Sequence, residues 1–457
     1  VATNSWAAQK ALDAMAPLFT TSGARPSSAT IDRRMKAAIH EGDGTRIVDE
    51  GSVEDAFDGR VVLSADFVVA PALHVSLETR TATALVADGH VQLWYASQAP
   101  GACREAVAAA LGLAAGRVTL FPMPAGGGTG AAMEHEVAVQ AALIARAMGR
   151  PVQLSWSRTE EILRDVPRAP ARARIQATLS SGATIDGWHV AIATPAARHE
   201  WRGRMDGAKP QAAMTAAAGK SDAAAISGAR PPYLIPNLAV GHLPVAIDLP
   251  VGFTRANADG FTAFFTESFV DDLARAAESD PLSFRMSMLA HAPDLARCLQ
   301  TATALGGWDG GVAGSGQGIA CHSMRGSHIA VMAVAKPGTN GIIVDRLVAA
   351  VDVGRVLNPT LVRQQIEGGM VFGLAQAVGA TTRYRNGLAQ ARHLGDLGMP
   401  VLRQTPTITV EIIPSDRDPG GAEELGVACV APAIANALFT VTGERLRRLP
   451  LSAKPLP

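Results

Sequence analysis

The chain has 457 residues, 48% of them hydrophobic and 18% charged, the balance of a folded globular protein rather than a disordered one. That length has room for about three domains of roughly 150 residues each. Its 41 basic residues match its 41 acidic ones, which argues against nucleic acid or an anionic membrane as partner, because such binding runs on clustered lysine and arginine.

No apolar run is long enough to predict a membrane span. The four cysteines, Cys103, Cys298, Cys321 and Cys429, form no C-x-x-C pair. Neither a zinc ribbon, an iron–sulfur cluster held by this chain nor a disulfide framework is expected. They read as small apolar filler.

The opening "VATNSWAAQKALDAM" has no initiator Met, basic segment or signal-like apolar core. It reads as a helix already under way, with Ser5 as N-cap, and it leaves the compartment open between periplasm and cytoplasm. Residues 21–55 are polar and turn-rich and read as a linker or surface connection. From residue 60 the pattern becomes short and alternating. "RVVLSADFVVA" and "TATALVADGHVQLWYA" predict strands, the second turning at Asp88-Gly89. "GACREAVAAALGL" predicts a glycine-closed helix and "RVTLFPM" a strand.

"PAGGGTGAAMEHEVAVQAALIARAMGRPVQLSW" reads as a glycine-rich loop, a helix, a Gly-Arg-Pro stop and a strand. "ARIQATLSSGATIDGWHVAIAT" predicts a hairpin turning at Ser181-Gly182, and residues 203–232 read as a long loop or insertion. The last third interleaves helices ("FTESFVDDLARAAE", "DPLSFRMSMLAHA", "NPTLVRQQIEGGMVFGLAQAV", "APAIANALFTVTG") with strands ("IIVDRLVAAVDVG", "TITVEIIP"). The rhythm is not strictly βαβ, so the predicted class is a multi-domain α+β fold.

Two features carry potential chemistry. The "AGGGTG" run before a helix is either a tight turn or a loop whose bare backbone receives an anion; it lacks the lysine of a Walker loop. The adjacent Glu423 and Glu424 in "DPGGAEELGVACVAPAIANALF" are either a solvated pair or a base held against a buried site. Burial would raise a carboxyl pKa, and a helix starting near Pro432 would lower it.

Four stretches in order, "GGGTGAAMEHEVAVQAALIARAMGRPVQLSWSRTEEI", "FFTESFVDDLARAAESDPLSFRMSML", "RLVAAVDVGRVLNPTLVRQQIEGGMVFGLAQAV" and "PGGAEELGVACVAPAIANALFTVTGERLRRLPL", carry a resemblance. Together they resemble the molybdopterin-binding large subunit of the molybdenum hydroxylases, the xanthine dehydrogenase and aldehyde oxidase family, in its isoquinoline 1-oxidoreductase beta-subunit branch. The resemblance implies residues 1–55 as the end of a hammerhead-like region and linker. It implies 56–245 as part of a first molybdenum-cofactor-binding domain and 246–457 as a second. It also implies a molybdenum-pterin cofactor, molybdopterin or its cytosine dinucleotide form, with no metal ligand from side chains. Electrons would leave through iron–sulfur clusters on a separate small subunit.

Residue by residue, the resemblance places the catalytic base at Glu424 and puts Glu423 where glycine is usual. Gly127, Gly128, Thr129 and Gly130 match the loop lining the metal pocket, and Arg255 a pocket arginine, against the plain alternative of a surface ion pair. Gln365, Gly368 and Gly369 match a helix near the cofactor, with close helix packing as the alternative, and Gly426 falls in the turn after the base. Glu78 matches a family glutamate of structural role. His74 reads as ordinary packing or hydrogen bonding. The implied reaction is hydroxylation of an N-heteroaromatic compound or aldehyde, with water as oxygen source.

The sequence also departs from that pattern. Thr129 replaces an aromatic residue, Ala131 and Ala132 replace a basic pair, "ARHLGDLGMP" stands where an Asn-Phe is usual, and an Arg-Pro step becomes "VPRAPA". The segment with a Gly-Gln-Gly motif that normally opens the subunit has no counterpart here. That favours a processed piece, or a split subunit completed by a second chain, over a simple fragment. A non-catalytic scaffold or small-molecule-binding relative is the alternative function.

Overall fold

The computed structural model describes residues 1–18, 25–42, 44–339 and 341–452. A small unit is built on a four-stranded sheet in the order Val118–Pro122, His90–Tyr95, Thr81–Ala87, Val152–Ser155. Alternation in the two central strands buries Ala82, Ala84, Val91, Leu93 and Tyr95 on one face. Helices Pro100–Leu111 and Glu136–Met148 cover that face, closing a separate core around Cys103, Val107, Val137 and Ala141. The two central strands turn at Asp88 and Gly89, both left-handed (φ 49° and 71°), as a two-residue hairpin requires.

The larger part holds two sheets. One has six strands in the order Thr45–Glu50, Asn237–Pro244, Ile185–Thr194, Ala171–Leu179, Leu63–Val69, Arg448–Leu449. The other has four: Gln317–Met324, Ser327–Gly338, Gly341–Asp352, Thr407–Ile412. Helix Asp259–Ala276 packs against both sheets, and nearly all of its residues are buried. Polar residues such as Thr262, Glu267 and Asp271 are buried along it together with the phenylalanines, so no simple apolar stripe marks its buried faces. Phe264 meets Phe67 of the first sheet edge to face at 5.5 Å, and Phe269 lies 5.6 Å from Trp188. One core runs through both sheets and through helix Val430–Thr442.

Several sequence expectations need correction. The supposed linker carries helix Ser28–Glu41, strand Thr45–Glu50 and helix Val53–Phe57, with residues 19–24 and 43 outside the described residues. Its polarity belongs to the solvent faces of these elements, while Ile31 and Met35 face inward. The first helix is capped by Asn4, one residue before Ser5. Residues 203–232 contain helix Pro210–Ala217 and the end of Ala197–Met205, whose alanine-rich sequence gives little apolar contrast. The stretch Leu425–Thr442 is apolar enough to resemble a spanning segment, but most of it is buried inside the fold. All four cysteines are buried and unpaired.

One sheet draws strands from residues 1–55, 56–245 and 246–457 alike, because Thr45–Glu50 pairs with Asn237–Pro244 and Arg448–Leu449 pairs with Leu63–Val69. A buried clamp joins the start of the small unit to the rest. The His74 backbone N–H donates to Asp165 Oδ2 at 2.8 Å, and ring atom Nδ1 lies 2.7 Å from Asp165 Oδ1. Ring atom Nε2 lies 2.6 Å from the Phe253 carbonyl oxygen. A carboxylate and a carbonyl can only accept, so both ring nitrogens carry protons. Burial alone would lower the His74 pKa; the Asp165 carboxylate outweighs it and holds the ring above its ordinary value.

Two outcomes are expected. A Cβ at Gly318 would lie 2.2 Å from the Ala437 backbone nitrogen. Gly318→Ala should therefore cost about 1–3 kcal/mol or more in urea denaturation. The raised His74 pKa means that the clamp stabilises fully below the unfolded value of about 6.5 and is lost as pH rises through the folded value. The stability gap between wild type and His74→Gln should be about 1.5–3 kcal/mol near pH 6 and shrink on the alkaline side. A gap that stays constant would mean a neutral ring.

Candidate functional site

The glycine run does not open directly onto a helix. A short 3-10 turn, Ala131–Met133, stands between the loop and helix Glu136–Met148, so the loop does not end at that helix's N-terminus. Gly127 is left-handed (φ 77°) and a Cβ there would meet nothing within 4 Å, so the loop faces open space at this point. The Gly128 N–H closes a turn on the Ala125 carbonyl at 2.8 Å. Thr129 is left-handed as well (φ 47°), an uncommon and strained conformation for a β-branched residue. A Cβ at Gly130 would lie 1.9 Å from the Phe253 carbonyl oxygen, so only glycine permits the contact that the His74 clamp completes. The Gly130 N–H donates to Gln98 Oε1 at 3.1 Å. Ala131 and Ala132 are buried beneath the loop as packing. Glu78 lies against Gly126, its Oε2 2.3 Å from where a Cβ would be.

Arg255 gathers the other residues singled out in the sequence. Its backbone N–H donates to the Thr129 carbonyl at 3.0 Å. Nε donates to the Glu423 carbonyl at 2.6 Å, and Nη2 donates to the Gln365 carbonyl at 2.9 Å and to its side-chain oxygen at 3.1 Å. The acceptors on its guanidinium are thus carbonyl and amide oxygens. Burial lowers its pKa, with Glu424 and Glu423 partly offsetting. Gln365 and Gly368 lie on the exposed face of helix Pro359–Val378, and a Cβ at Gly368 would lie 3.7 Å from Arg255 Nη1. Gly369 faces inward, where a Cβ would lie 3.0 Å from Gly426 Cα. Gly426 belongs to the short helix Leu425–Ala428, directly after Glu424.

The two carboxylates differ. The Glu423 side chain is 55% exposed and the Glu424 side chain 19%. Burial raises the Glu424 pKa above the ordinary glutamate value, against the Arg325 guanidinium and a hydrogen bond from the Ala256 backbone, while Glu423 and Asp259 push the same way as burial. Burial thus outweighs the Arg325 cation and the Ala256 hydrogen bond. Sequence reasoning missed Arg325, which lies 2.9 Å from Glu423 Oε1 and 2.7 Å from Glu424 Oε2. Its only local signal was an Arg-Gly turn between the alternating stretches "QGIACHSM" and "SHIAVMAVA". Two further polar atoms, Thr254 Oγ1 and Gln376 Nε2, are buried and lack a hydrogen-bond partner. Gln376 lies close to Gly260 on the helix that follows Arg255.

Residues 39–289 match one molybdopterin cofactor-binding domain and residues 300–406 a second. The isoquinoline 1-oxidoreductase beta subunit of Brevundimonas diminuta is 30% identical over 372 residues, 80% of this chain and 46% of that one. A membrane-bound aldehyde dehydrogenase (pyrroloquinoline-quinone) of Gluconacetobacter polyoxogenes is 26% identical over 461 residues, 92% of this chain and 57% of that one. The chain spans about half the length of these curated relatives. The solved structure of quinoline 2-oxidoreductase from Pseudomonas putida 86 superposes with a TM-score of 0.76 at 13% identity, covering 95% of this chain and 81% of that one, a likeness of fold. With the first domain match alone covering more than half of its residues, this chain belongs to the molybdopterin cofactor-binding family of the xanthine dehydrogenase and aldehyde oxidase type.

Proposed function

We propose that this chain is part of a molybdenum hydroxylase that oxidises an N-heteroaromatic compound or an aldehyde, water being the oxygen source. The observation that carries the reading is that Arg255 ties together the glycine loop, Gln365 and the Glu423–Glu424 turn. The residues present fit the cofactor. The loop is bare at Gly127, the helix tied to it through Arg255 exposes Gln365 and Gly368, and the Thr254 hydroxyl next to Arg255 in the chain is buried without a partner. Among the described residues no three His, Cys, Asp or Glu side chains are grouped to hold a metal. When bound, the molybdenum cofactor supplies the two-electron acceptor and activates water.

The chain's own residues do the rest. Gly127, Gly128, Thr129 and Gly130 line one side of the cofactor, and Gln365 and Gly368 the other. Gly369 and Gly426 act one step back, by letting their helices meet. Arg255 binds carbonyl oxygens on both sides, which fixes the Glu423–Glu424 turn relative to loop and helix. Glu424 takes the proton from the attacking water. Its raised pKa suits a general base, which works best with a pKa close to the operating pH.

Each oxygen inserted releases two electrons and two protons. The electrons pass to an iron–sulfur small subunit, and a second chain or segment supplies the other cofactor-binding half; the dinucleotide form of the cofactor belongs to the same reading. The names of the relatives, an isoquinoline oxidoreductase and an aldehyde dehydrogenase, support the two substrate classes. The scaffold alternative rested on Thr129, Ala131 and Ala132; the two alanines are buried against the loop, and the names of the relatives support the catalytic reading over the scaffold.

Protein purified from its native host with whatever accompanies it should contain about one molybdenum per chain. Glu424→Gln in that assembly should lower kcat by about 10²–10⁴-fold with molybdenum content unchanged. Full turnover by the variant, or no molybdenum with the partners present, would overturn the reading. The acid limb of kcat/KM should lie above the ordinary glutamate value of about 4.3.

A further inference from the structure

A single base explains Glu424 but not the carboxylate beside it. Arg325 sits in the turn between strands Gln317–Met324 and Ser327–Gly338. It is left-handed there (φ 50°) and is followed by left-handed Gly326 (φ 76°). That turn is fastened to the acidic loop. The Gly421 N–H donates to the Arg325 carbonyl at 3.0 Å, and a Cβ at Gly421 would lie 3.2 Å from Arg325 Cβ. The backbone thereby holds the Arg325 side chain against the loop although it is 55% exposed. Its guanidinium then forks, with Nη1 to Glu423 at 2.9 Å and Nη2 to Glu424 at 2.7 Å. Paired with Glu424 alone, the cation would favour the ionised form of that carboxyl more strongly than it does when shared.

We propose that Arg325 and Glu423 are a positioning pair that tunes the Glu424 carboxyl, Glu423 drawing off half of the guanidinium so that Glu424 keeps a single nitrogen contact. The inference rests on reading Glu424 as the base. The groups facing Glu424 are Arg325, Glu423, Asp259 and the Ala256 backbone. Arg255 faces the same turn, and Asp259 is itself held by His322 at 2.9 Å and by the Ser227 hydroxyl at 2.7 Å. Within this set only Arg325 and Glu423 have side chains more than half exposed. They act with opposite sign: the cation favours the ionised carboxyl and the anion opposes it.

The test is a pH titration of the infrared carboxyl band that Glu424→Gln abolishes, measured on the purified assembly. Arg325→Gln should move that titration up by about 0.5–1 pH unit and Glu423→Gln should move it down by about 0.5, both shifts shrinking in about 1 M salt. Shifts of the same sign, or no shift in either variant, would overturn the pair. In the molybdenum-loaded assembly the acid limb of kcat/KM should follow in the same directions. A titration that moves while the limb stays fixed supports the pair and overturns Glu424 as the base, so the two failures are told apart.

Discussion

The site depends on two glycines that let backbones touch. A Cβ at Gly426 would lie 2.4 Å from the Ile366 carbonyl oxygen, and one at Gly369 would lie 3.0 Å from Gly426 Cα. Any side chain at either position drives the short helix Leu425–Ala428 off helix Pro359–Val378. Glu424 directly precedes the short helix and Gln365 lies one turn before Gly369, so this contact sets the distance between proposed base and proposed cofactor face. Arg255 can bridge the two with one guanidinium only because they are that close. Its acceptors are carbonyl and amide oxygens, which do not titrate. The frame is therefore fixed across pH while the carboxyl inside it changes state.

The features legible in the sequence are those written locally. Asp88-Gly89 specifies a tight hairpin because left-handed backbone is needed at both positions. Gly112 and Gly149 close their helices in the left-handed conformation, as glycine after an apolar run predicts. The helix at Asp259–Ala276 was readable from its pattern, but its place against both sheets was not, because that depends on strands drawn from distant parts of the chain. The alanine-rich helices near residue 210 were lost because alanine marks neither a buried face nor a solvated one.

The site divides along the same line. Gly127, Gly130, Arg255, Gln365, Gly369, Glu424 and Gly426 each stood in a recognisable local string, and the fold brings these strings together. Arg325 pairs with a residue 98 positions away and His74 with one 91 away, and neither partner leaves a mark on its neighbours. The glycine loop shows the reverse error. Its string pointed to a helix N-terminus, but Ala131–Met133 form a separate turn, so the loop's open face comes from Gly127 and from the Gly130–Phe253 contact instead.

The contrast between two buried glutamates shows why one is structure and the other can be chemistry. Glu267, in the central helix, has both oxygens fully engaged: the Tyr233 hydroxyl at 2.6 Å on one, and Arg285 Nε at 3.0 Å and the Cys321 N–H at 2.9 Å on the other. Removing Arg285 would strand a buried carboxylate without its cation, a loss of about 3–5 kcal/mol for such pairs, so this side chain is bound into the core as structure. Glu424 is partly buried too, but its cation is shared with Glu423 and reaches into solvent. Desolvation there is left partly uncompensated, and it appears as a raised pKa rather than as rigidity. An incompletely paired, partly exposed carboxyl can take up and release a proton without breaking contacts that the core depends on.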